Sequence, residues 1–169
     1  MKNITIAILA MFVTINVFAT QSNIKMTSIQ KKAFDVITKY EGWKPSTYVC
    51  PAGRKTIGWG FTSPEFIRKG SMTRNEADKI LVSYIDSLSS YLDGQVQVKL
   101  TENQKAALIS FIYNVGRGNF ESSTLLKKIN KKDFSGAAQE FSKWTKSKGK
   151  TLSGLVSRRA DERAWFCKK

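Results

Sequence analysis

Few residues of this 169-residue chain could do chemistry, because the sequence contains no histidine. Without histidine, neither a Ser-His-Asp triad nor a Cys-His pair can be built, and a zinc site lacks its commonest ligand. Carboxylates remain as acids and bases, and the two cysteines, Cys50 and Cys167, offer a thiol. The sequence therefore predicts no metal site and no cofactor, and its chemistry must come from a carboxylate in an unusual environment.

Glu41 is the carboxylate placed against the electrostatic preference of its helix. Apolar residues recur at helical spacing from Ser28 to Tyr40, and Gly42 is a natural stop, so Glu41 closes a first helix. A carboxylate there faces the negative end of the helix dipole, next to the apolar ring of Trp43. Both effects disfavour the charged form, which suits a general acid that works near neutral pH. A surface charge at a fraying helix end is the alternative.

The segments that must position Glu41 divide into a strand-bearing part and a helical part. The stretch from Trp43 to Thr62 is rich in Gly, Pro, Thr and aromatic residues, which favours short strands and turns. A helix start is predicted at Ser63-Pro64, and capping-box spacings begin longer helices after Thr73 and Thr101. A cleft, if there is one, should lie between the two parts.

The remaining helices follow from apolar periodicity. They are predicted over Ser123 to Ile129, Phe134 to Lys146 and Leu155 to Phe166. The predicted buried face of the helix after Thr73 consists of Ala77, Ile80, Leu81, Tyr84, Ile85, Leu88 and Leu92.

The stretch "YEGWKPSTYVCPAGRKTIGWG" resembles the catalytic segment of the phage-type lysozymes, or endolysins (glycoside hydrolase family GH24). In that family a Glu closes the first helix, an Asp or Cys follows nine positions later, and a Thr six positions after that; Glu41, Cys50 and Thr56 occupy these positions. The later segments "LTENQKAALISFIYNVGRGNF" and "GLVSRRADERAWF" are similar to the family's helical lobe. The resemblance implies an α+β, mainly α, lysozyme-like fold, with a small strand-bearing lobe, a larger helical lobe and the active-site cleft between them.

The resemblance also implies a reaction, the hydrolysis of the β-1,4 bond between N-acetylmuramic acid and N-acetylglucosamine in peptidoglycan. Glu41 would protonate the glycosidic oxygen, Cys50 as thiolate would activate a water, and Thr56 would orient that water. Many family members have Asp where Cys50 stands. A free thiol has a pKa of about 8.5, so Cys50 must be tuned downward to act as a base. The alternative to a catalytic role for Cys50 is that of a small apolar residue in a turn. The alternative for Thr56 is that of an ordinary strand-forming residue.

The N-terminal residues 1–20 indicate export. An apolar stretch from Ile4 to Ala19 ends in Val17-Phe18-Ala19, the small-x-small pattern that signal peptidase reads. We expect either a cleaved signal peptide or a signal-anchor that tethers the protein transiently through residues 4–19, followed by one catalytic domain over residues 24–169. The expected location is the periplasm.

The formal net charge of +15 favours polyanionic partners. Peptidoglycan is the expected substrate, an anionic membrane could bind the basic region from Lys127 to Lys150, and export argues against nucleic acid. A monomer is expected. Two rival functions stay open at this point: a lytic transglycosylase that needs Glu41 alone, and a non-enzymatic, basic envelope-binding or membrane-binding protein.

Two features near the C-terminus stay open as well. Cys167 is the available partner if an oxidised state locks Cys50 in a disulfide, as in some exported endolysins. Arg158, Arg159 and Glu162 form either a solvated, salt-bridged helix face or, by the family resemblance, a helix near the catalytic Glu with an Arg in contact with it.

Overall fold

The computed structural model describes residues 24–50, 53–147 and 149–168. The expected export segment, residues 1–20, lies outside the described residues. The helices are α1 Ser28–Glu41, α2 Pro64–Lys69, α3 Arg74–Gln95, α4 Glu102–Val115, α5 Arg117–Glu121, α6 Thr124–Asn130, α7 Phe134–Glu140 and α8 Ser153–Cys167. The strands are β1 Lys44–Val49, β2 Lys55–Gly58, β3 Lys146–Ser147 and β4 Lys150–Thr151. Helices dominate, and the α+β, mainly α, two-lobed architecture is confirmed.

Side-chain caps fix where the longer helices begin. Thr27, Thr73 and Thr101 each accept a hydrogen bond from the backbone of the third helical residue, whose own side chain bonds back to the cap. Such boxes satisfy two backbone donors that the first turn leaves unpaired. The predicted starts of α3 and α4 are therefore confirmed, as is the end of α1 at Glu41.

The small lobe is built on the antiparallel hairpin of β1 and β2. Tyr48 lies opposite Thr56, and Val49 lies opposite Lys55. An isolated bridge between Ile57 and Phe61 turns the chain back directly after β2. This turn carries the chain from the hairpin to α2 and places the "GWG" segment between the lobes.

The predicted helix over Phe134 to Lys146 is wrong in its second half. Helix α7 ends at Glu140, a 3₁₀ turn covers Phe141–Lys143, and the chain then forms the short hairpin of β3 and β4. Gly149 has a φ of 79° there, a backbone conformation that glycine adopts without steric cost. Three lysines and a glycine leave this segment with no apolar face that a longer helix could bury.

Helix α4 forms the centre of the helical lobe. Its residues from Ala106 to Ile112 are all buried, so it is surrounded by protein on every side. It packs against α1, α3 and α8. The buried face of α3 consists of Ala77, Leu81, Ile85, Leu88 and Leu92. Ile80 is half-buried and packs against this core, whereas Tyr84 is 46% exposed, contrary to the prediction.

No helix in the described part of the chain combines the length and apolar character that a membrane span requires.

Candidate active site

Glu41 is the last residue of α1 and is held by an ion pair. Its Oε1 lies 2.6 Å from a terminal guanidinium nitrogen of Arg158. The Glu41 side chain is 20% exposed, whereas that of Arg158 is 3% exposed. The carboxylate is thus fixed at the boundary between protein and solvent, and the alternative of a fraying surface charge is wrong.

Gly60 allows the loop after β2 to approach this carboxylate. An ideal Cβ built at Gly60 would lie only 2.7 Å from Oε2 of Glu41. The φ of Gly60 is +96°, which side-chain-bearing residues rarely adopt. The second glycine of "TIGWG" is therefore required for two reasons, the backbone conformation and the space that Glu41 occupies.

Arg158 is itself fixed by buried partners on α4 and α8. Its Nε lies 3.1 Å from Oε1 of Glu162, and one terminal nitrogen donates to the backbone carbonyl of Ser110 at 3.2 Å. The hydroxyl of Ser110 donates to the same Glu162 oxygen at 2.8 Å. Rotation of Arg158 away from Glu41 would break each of these contacts, so the arginine is a rigid support.

Arg159 completes this cluster from the far side of Glu162. Its Nε lies 2.8 Å from Oε2 of Glu162, and its guanidinium lies 4.9 Å from the centre of the Phe111 ring. Burial lowers the pKa of Arg159 and raises that of Glu162, and in each case the opposite charge of the partner counters the shift. The interpretation of these residues as a solvated helix face is wrong, because all of them are buried.

Tyr113 forms a wall beside Glu41. Its hydroxyl donates to the backbone carbonyl of Trp59 at 2.8 Å. Burial raises the pKa of Tyr113, and the nearby Glu41 carboxylate raises it further. The phenol is therefore neutral at any pH at which the protein works, and it supplies a fixed apolar surface rather than an acid or base.

The hairpin of β1 and β2 carries the other two predicted residues at the end where its loop joins the strands. Thr56 is 4% exposed, and its hydroxyl donates to the backbone carbonyl of Arg54 at 3.0 Å. Cys50 is partly buried, and its backbone N–H donates to the same carbonyl at 2.9 Å. The two residues thus share one backbone anchor, which holds them close together.

Tyr48 connects this hairpin end to Glu41. Burial raises the pKa of Tyr48, and the charges of Cys50 and Glu41 raise it further. Both groups must therefore lie near the phenol. The structure brings the hairpin end that carries Cys50 and Thr56 to the side of the lobe interface where Glu41 lies.

An open cleft of about 670 Å³ lies next to Glu41. It is bordered by Gly60 and Tyr113, the two residues that also flank the carboxylate. Its other walls are Arg54, Phe61, Thr62, Ser63, Phe66, Ile80, Tyr84, Asn114, Val115, Gly116 and Asn119. The walls come from both lobes, as predicted for a cleft between them. Within the described residues, no group of three His, Cys, Asp or Glu side chains could hold a metal ion.

Cys167 lies far from this site. The start of α8 contacts Glu41 through Arg158, whereas its end lies beside the start of α4, where Asn103 donates to the carbonyl of Lys168 at 3.3 Å. From Arg158 to Cys167 a helix rises about 13 Å. No disulfide joins Cys50 and Cys167, and such a bond needs Cα atoms within about 7 Å. A lock between them would require part of α8 to unfold.

The family resemblance predicted Glu41, Cys50 and Thr56 as site residues, but the sequence did not point to Gly60, Ser110 and Tyr113, which the structure places around Glu41. Ser110 and Tyr113 lie three residues apart on α4 and face the site from a helix that is buried all round. In such a helix no polar stripe marks the side that faces the cleft, so periodicity carries no signal. For Gly60, the signal was its place in the "TIGWG" segment.

Comparison with known proteins gives one consistent result. Residues 38–162 match the sequence model of the family described as Phage lysozyme. The chain is 42% identical over 142 residues to an endolysin of Acyrthosiphon pisum secondary endosymbiont phage 1, which covers 82% of this chain and 97% of that protein. It is 34% identical over 123 residues to the SAR-endolysin of Bacteriophage PS34, covering 73% of this chain and 74% of that protein. Among solved structures, the muramidase domain of SpmX from Asticaccaulis excentricus superposes with a TM-score of 0.75, at 30% identity, over 85% of this chain and all of that domain.

Proposed function

The chain belongs to the phage lysozyme family, and from this premise we propose how its residues cut the substrate. The protein is an endolysin, a muramidase that degrades peptidoglycan and thereby lyses bacteria. The rival interpretation as a non-enzymatic envelope-binding protein is thereby set aside. The proposed reaction is hydrolysis of the β-1,4 bond between N-acetylmuramic acid and N-acetylglucosamine.

Glu41 is the general acid in this proposal. The observation that best supports this role is that the two oxygens of Glu41 have different surroundings. Oε1 accepts a hydrogen bond from Arg158, whereas Oε2 lies against Gly60 at the border of the cleft. A proton on Oε2 therefore points toward bound substrate and passes to the glycosidic oxygen as the bond breaks. The resulting carboxylate stays paired with Arg158, which stabilises the charge that develops.

Cys50 and Thr56 prepare the attacking water. The Thr56 hydroxyl donates its hydrogen bond to the Arg54 carbonyl. Its oxygen therefore remains available to accept a hydrogen bond from the water. The Cys50 thiolate takes the other water proton, and the oxygen attacks the anomeric carbon from the face opposite Glu41. An inverting reaction of this kind needs about 6.5 to 9.5 Å between acid and base. The product carries an ordinary reducing muramic acid end.

Mass spectrometry of the fragments released from purified peptidoglycan tests this assignment. Wild type should release reducing ends, Glu41→Gln should release no fragments, and Cys50→Ala should lose at least 100-fold in rate, as expected when a general base is removed. Cys50→Asp is the matched variant, since many family members have Asp at this position, and it should keep much of the activity. Anhydro ends from wild type would instead mean a lytic transglycosylase that uses Glu41 alone.

Export completes the proposal. One relative is named a SAR-endolysin, and residues 1–20 precede a catalytic domain that we assign to residues 24–169. We assign to residues 4–19 a signal that takes the enzyme across the inner membrane to the periplasm, either cleaved or as a releasable anchor. Fractionation of cells, with the mass of the released protein, distinguishes the two: loss of about 20 residues means cleavage, and the full mass means release of an intact anchor.

The remaining partners follow from charge. The exposed lysines at the end of α6, Lys127 and Lys131, belong to the basic region assigned to anionic membrane or envelope contact. The enzyme acts as a monomer in this proposal. Sedimentation of the protein with and without anionic vesicles tests both points, and a dimer in the absence of lipid would contradict the second.

A further inference from the structure

A second groove opens directly from the active-site cleft onto the outer face of α3. It has a volume of about 460 Å³ and is lined by Phe66, Lys79, Ile80, Ser83, Tyr84 and Ser87. We call it the Tyr84 groove. Phe66, Ile80 and Tyr84 also line the cleft itself, so the two concave surfaces are continuous.

Tyr84 is held rigidly although it is exposed. Its ring meets the edge of the Tyr113 ring, with centres 5.4 Å apart and planes at 83°. Tyr113 is in turn fixed by its hydrogen bond to the Trp59 carbonyl. Tyr84 is 46% exposed, and it is one of four large apolar side chains that are exposed in the described part of the chain. An exposed apolar surface at a concave site marks a binding surface more often than an accident of packing.

The same face of α3 carries hydroxyl groups next to this ring, and α5 supplies a cation that binds one of them. Ser83 is exposed beside Tyr84, and Ser87 follows one turn later. The Ser87 hydroxyl accepts from Arg117 at 2.6 Å, and the guanidinium of Arg117 lies 4.9 Å from the centre of the Tyr91 ring. Aromatic rings that alternate with hydroxyl and guanidinium groups suit a sugar chain, whose C–H faces stack on rings and whose hydroxyl and acetamido groups form hydrogen bonds.

We infer that the Tyr84 groove is a distal glycan-binding site, where the strand that runs through the cleft continues over α3 with a sugar ring stacked on Tyr84. This inference rests on the proposed function, because it takes the substrate to be a glycan strand. The occupant is the sugar backbone and not the acidic stem peptide. The charges around the groove support this choice: Lys69 and Glu76 neutralise each other at 2.6 Å, and Lys79 lines the adjoining pocket together with the acidic Glu65.

The Tyr84 groove can contribute to binding only when the substrate is a polymer longer than the cleft. Contacts outside the cleft hold the strand without touching the reacting bond, so they increase affinity for long strands and add little for short ones. Loss of the ring contact at Tyr84 should therefore weaken binding of long strands by about two- to tenfold.

The test measures binding without cleavage, by calorimetry on full-length protein in a Glu41→Gln background. The probes are long peptidoglycan glycan strands freed of their peptides, the same strands with peptides, and a tetrasaccharide that fits the cleft. Ser83→Arg blocks the groove without lining the cleft, and Ser135→Arg on α7 is the matched control, since Ser135 is also exposed and lines neither surface. Tyr84→Ala removes the platform and Tyr84→Phe keeps it.

We expect Ser83→Arg and Tyr84→Ala to weaken binding of peptide-free long strands by about two- to tenfold. Ser135→Arg and Tyr84→Phe should bind them as the parent does, and Ser83→Arg should bind the tetrasaccharide unchanged. Equal binding of long strands by Ser83→Arg and Ser135→Arg would overturn the inference. An effect confined to peptide-bearing strands would overturn it too, in favour of a stem-peptide site. Failure of the proposed function has a separate readout, the release of fragments by the Glu41→Gln protein.

Discussion

Four charges determine the behaviour of the reacting carboxyl group: Glu41, Arg158, Arg159 and Glu162. When Glu41 is ionised, the two carboxylates balance the two guanidinium groups; when it is protonated, the cluster carries one excess positive charge. Transfer of the proton to the leaving oxygen therefore restores neutrality inside the protein. Because electrostatic interactions are strong in a buried, preorganised site, this balance favours the bond-breaking step.

Glu162→Gln tests this charge balance. The substitution leaves an excess positive charge beside Glu41 even after the proton has been transferred, so the pH profile of kcat/KM should be displaced to lower pH. The groups that face Glu162 are Arg158, Arg159 and Ser110. The variant should also lose about 3 kcal/mol of stability, because it breaks a buried ion network.

Glu140→Gln is the matched control for that experiment. Glu140 is also buried, at 3% exposure, and it pairs with Lys128 at 2.6 Å and Lys143 at 2.9 Å on the other side of the helical lobe. This variant should lose stability without a displaced pH profile. Identical profiles for both variants would contradict the charge-balance argument.

Gly60→Ala should abolish activity while the protein stays folded. The new Cβ would lie 2.7 Å from Oε2 of Glu41, so either the carboxyl group or the loop must move. The positive φ adds about 1 to 2 kcal/mol of strain. Activity on peptidoglycan and the melting temperature are measured together.

Gly94→Ala serves as the comparison for Gly60→Ala. Gly94 lies in α3 with nothing within 4 Å of an added Cβ, and alanine favours the helix. It should be fully active and slightly more stable. Full activity in Gly60→Ala would show that the close approach to Glu41 is not needed.

At the scale of elements, local patterns predicted the helix starts, whereas the contact between Glu41 and an Arg of the last helix was implied only by the family resemblance. The capping boxes that begin at Thr73 and Thr101 each span four consecutive residues, so they are visible directly in the sequence. The hairpin of β3 and β4 could not be predicted from the sequence, because strands of two residues show no periodicity. The contact between Glu41 and Arg158 joins residues 117 positions apart, so no local pattern contains it.

Helix α8 separates the two thiols, and this leads to a prediction about oxidation. In the native protein, mild oxidation should leave Cys50 and Cys167 unlinked, because joining them would require α8 to unfold near its end. Cys167→Ala should then have the activity of wild type under both oxidising and reducing conditions. Peptide mapping after alkylation checks this directly. An inactive species with a Cys50–Cys167 disulfide would mean that the chain adopts a second fold.

At the scale of the whole molecule, the net charge of +15 acts on the encounter with the cell envelope and not on the chemistry. The lysines that carry much of this charge are exposed, such as Lys127 on α6 and Lys131 directly after it, and they lie outside the cleft. Salt screens such charges over about 8 Å at physiological ionic strength. Attraction to an anionic wall should therefore weaken with salt, whereas proton transfer at Glu41 should not.

The salt dependence of the rate separates these two contributions. Lysis of intact, anionic cell walls should slow several-fold between about 50 and 500 mM salt, because the Debye length falls over this range. Cleavage of an uncharged glycan fragment should change little. A variant with Lys127→Gln and Lys131→Gln should lyse walls more slowly at low salt and show a shallower dependence, while it cleaves the uncharged fragment at the wild-type rate. If salt slowed both substrates equally, the charge would be acting within the active site, and the basic surface would have no separate role in reaching the wall.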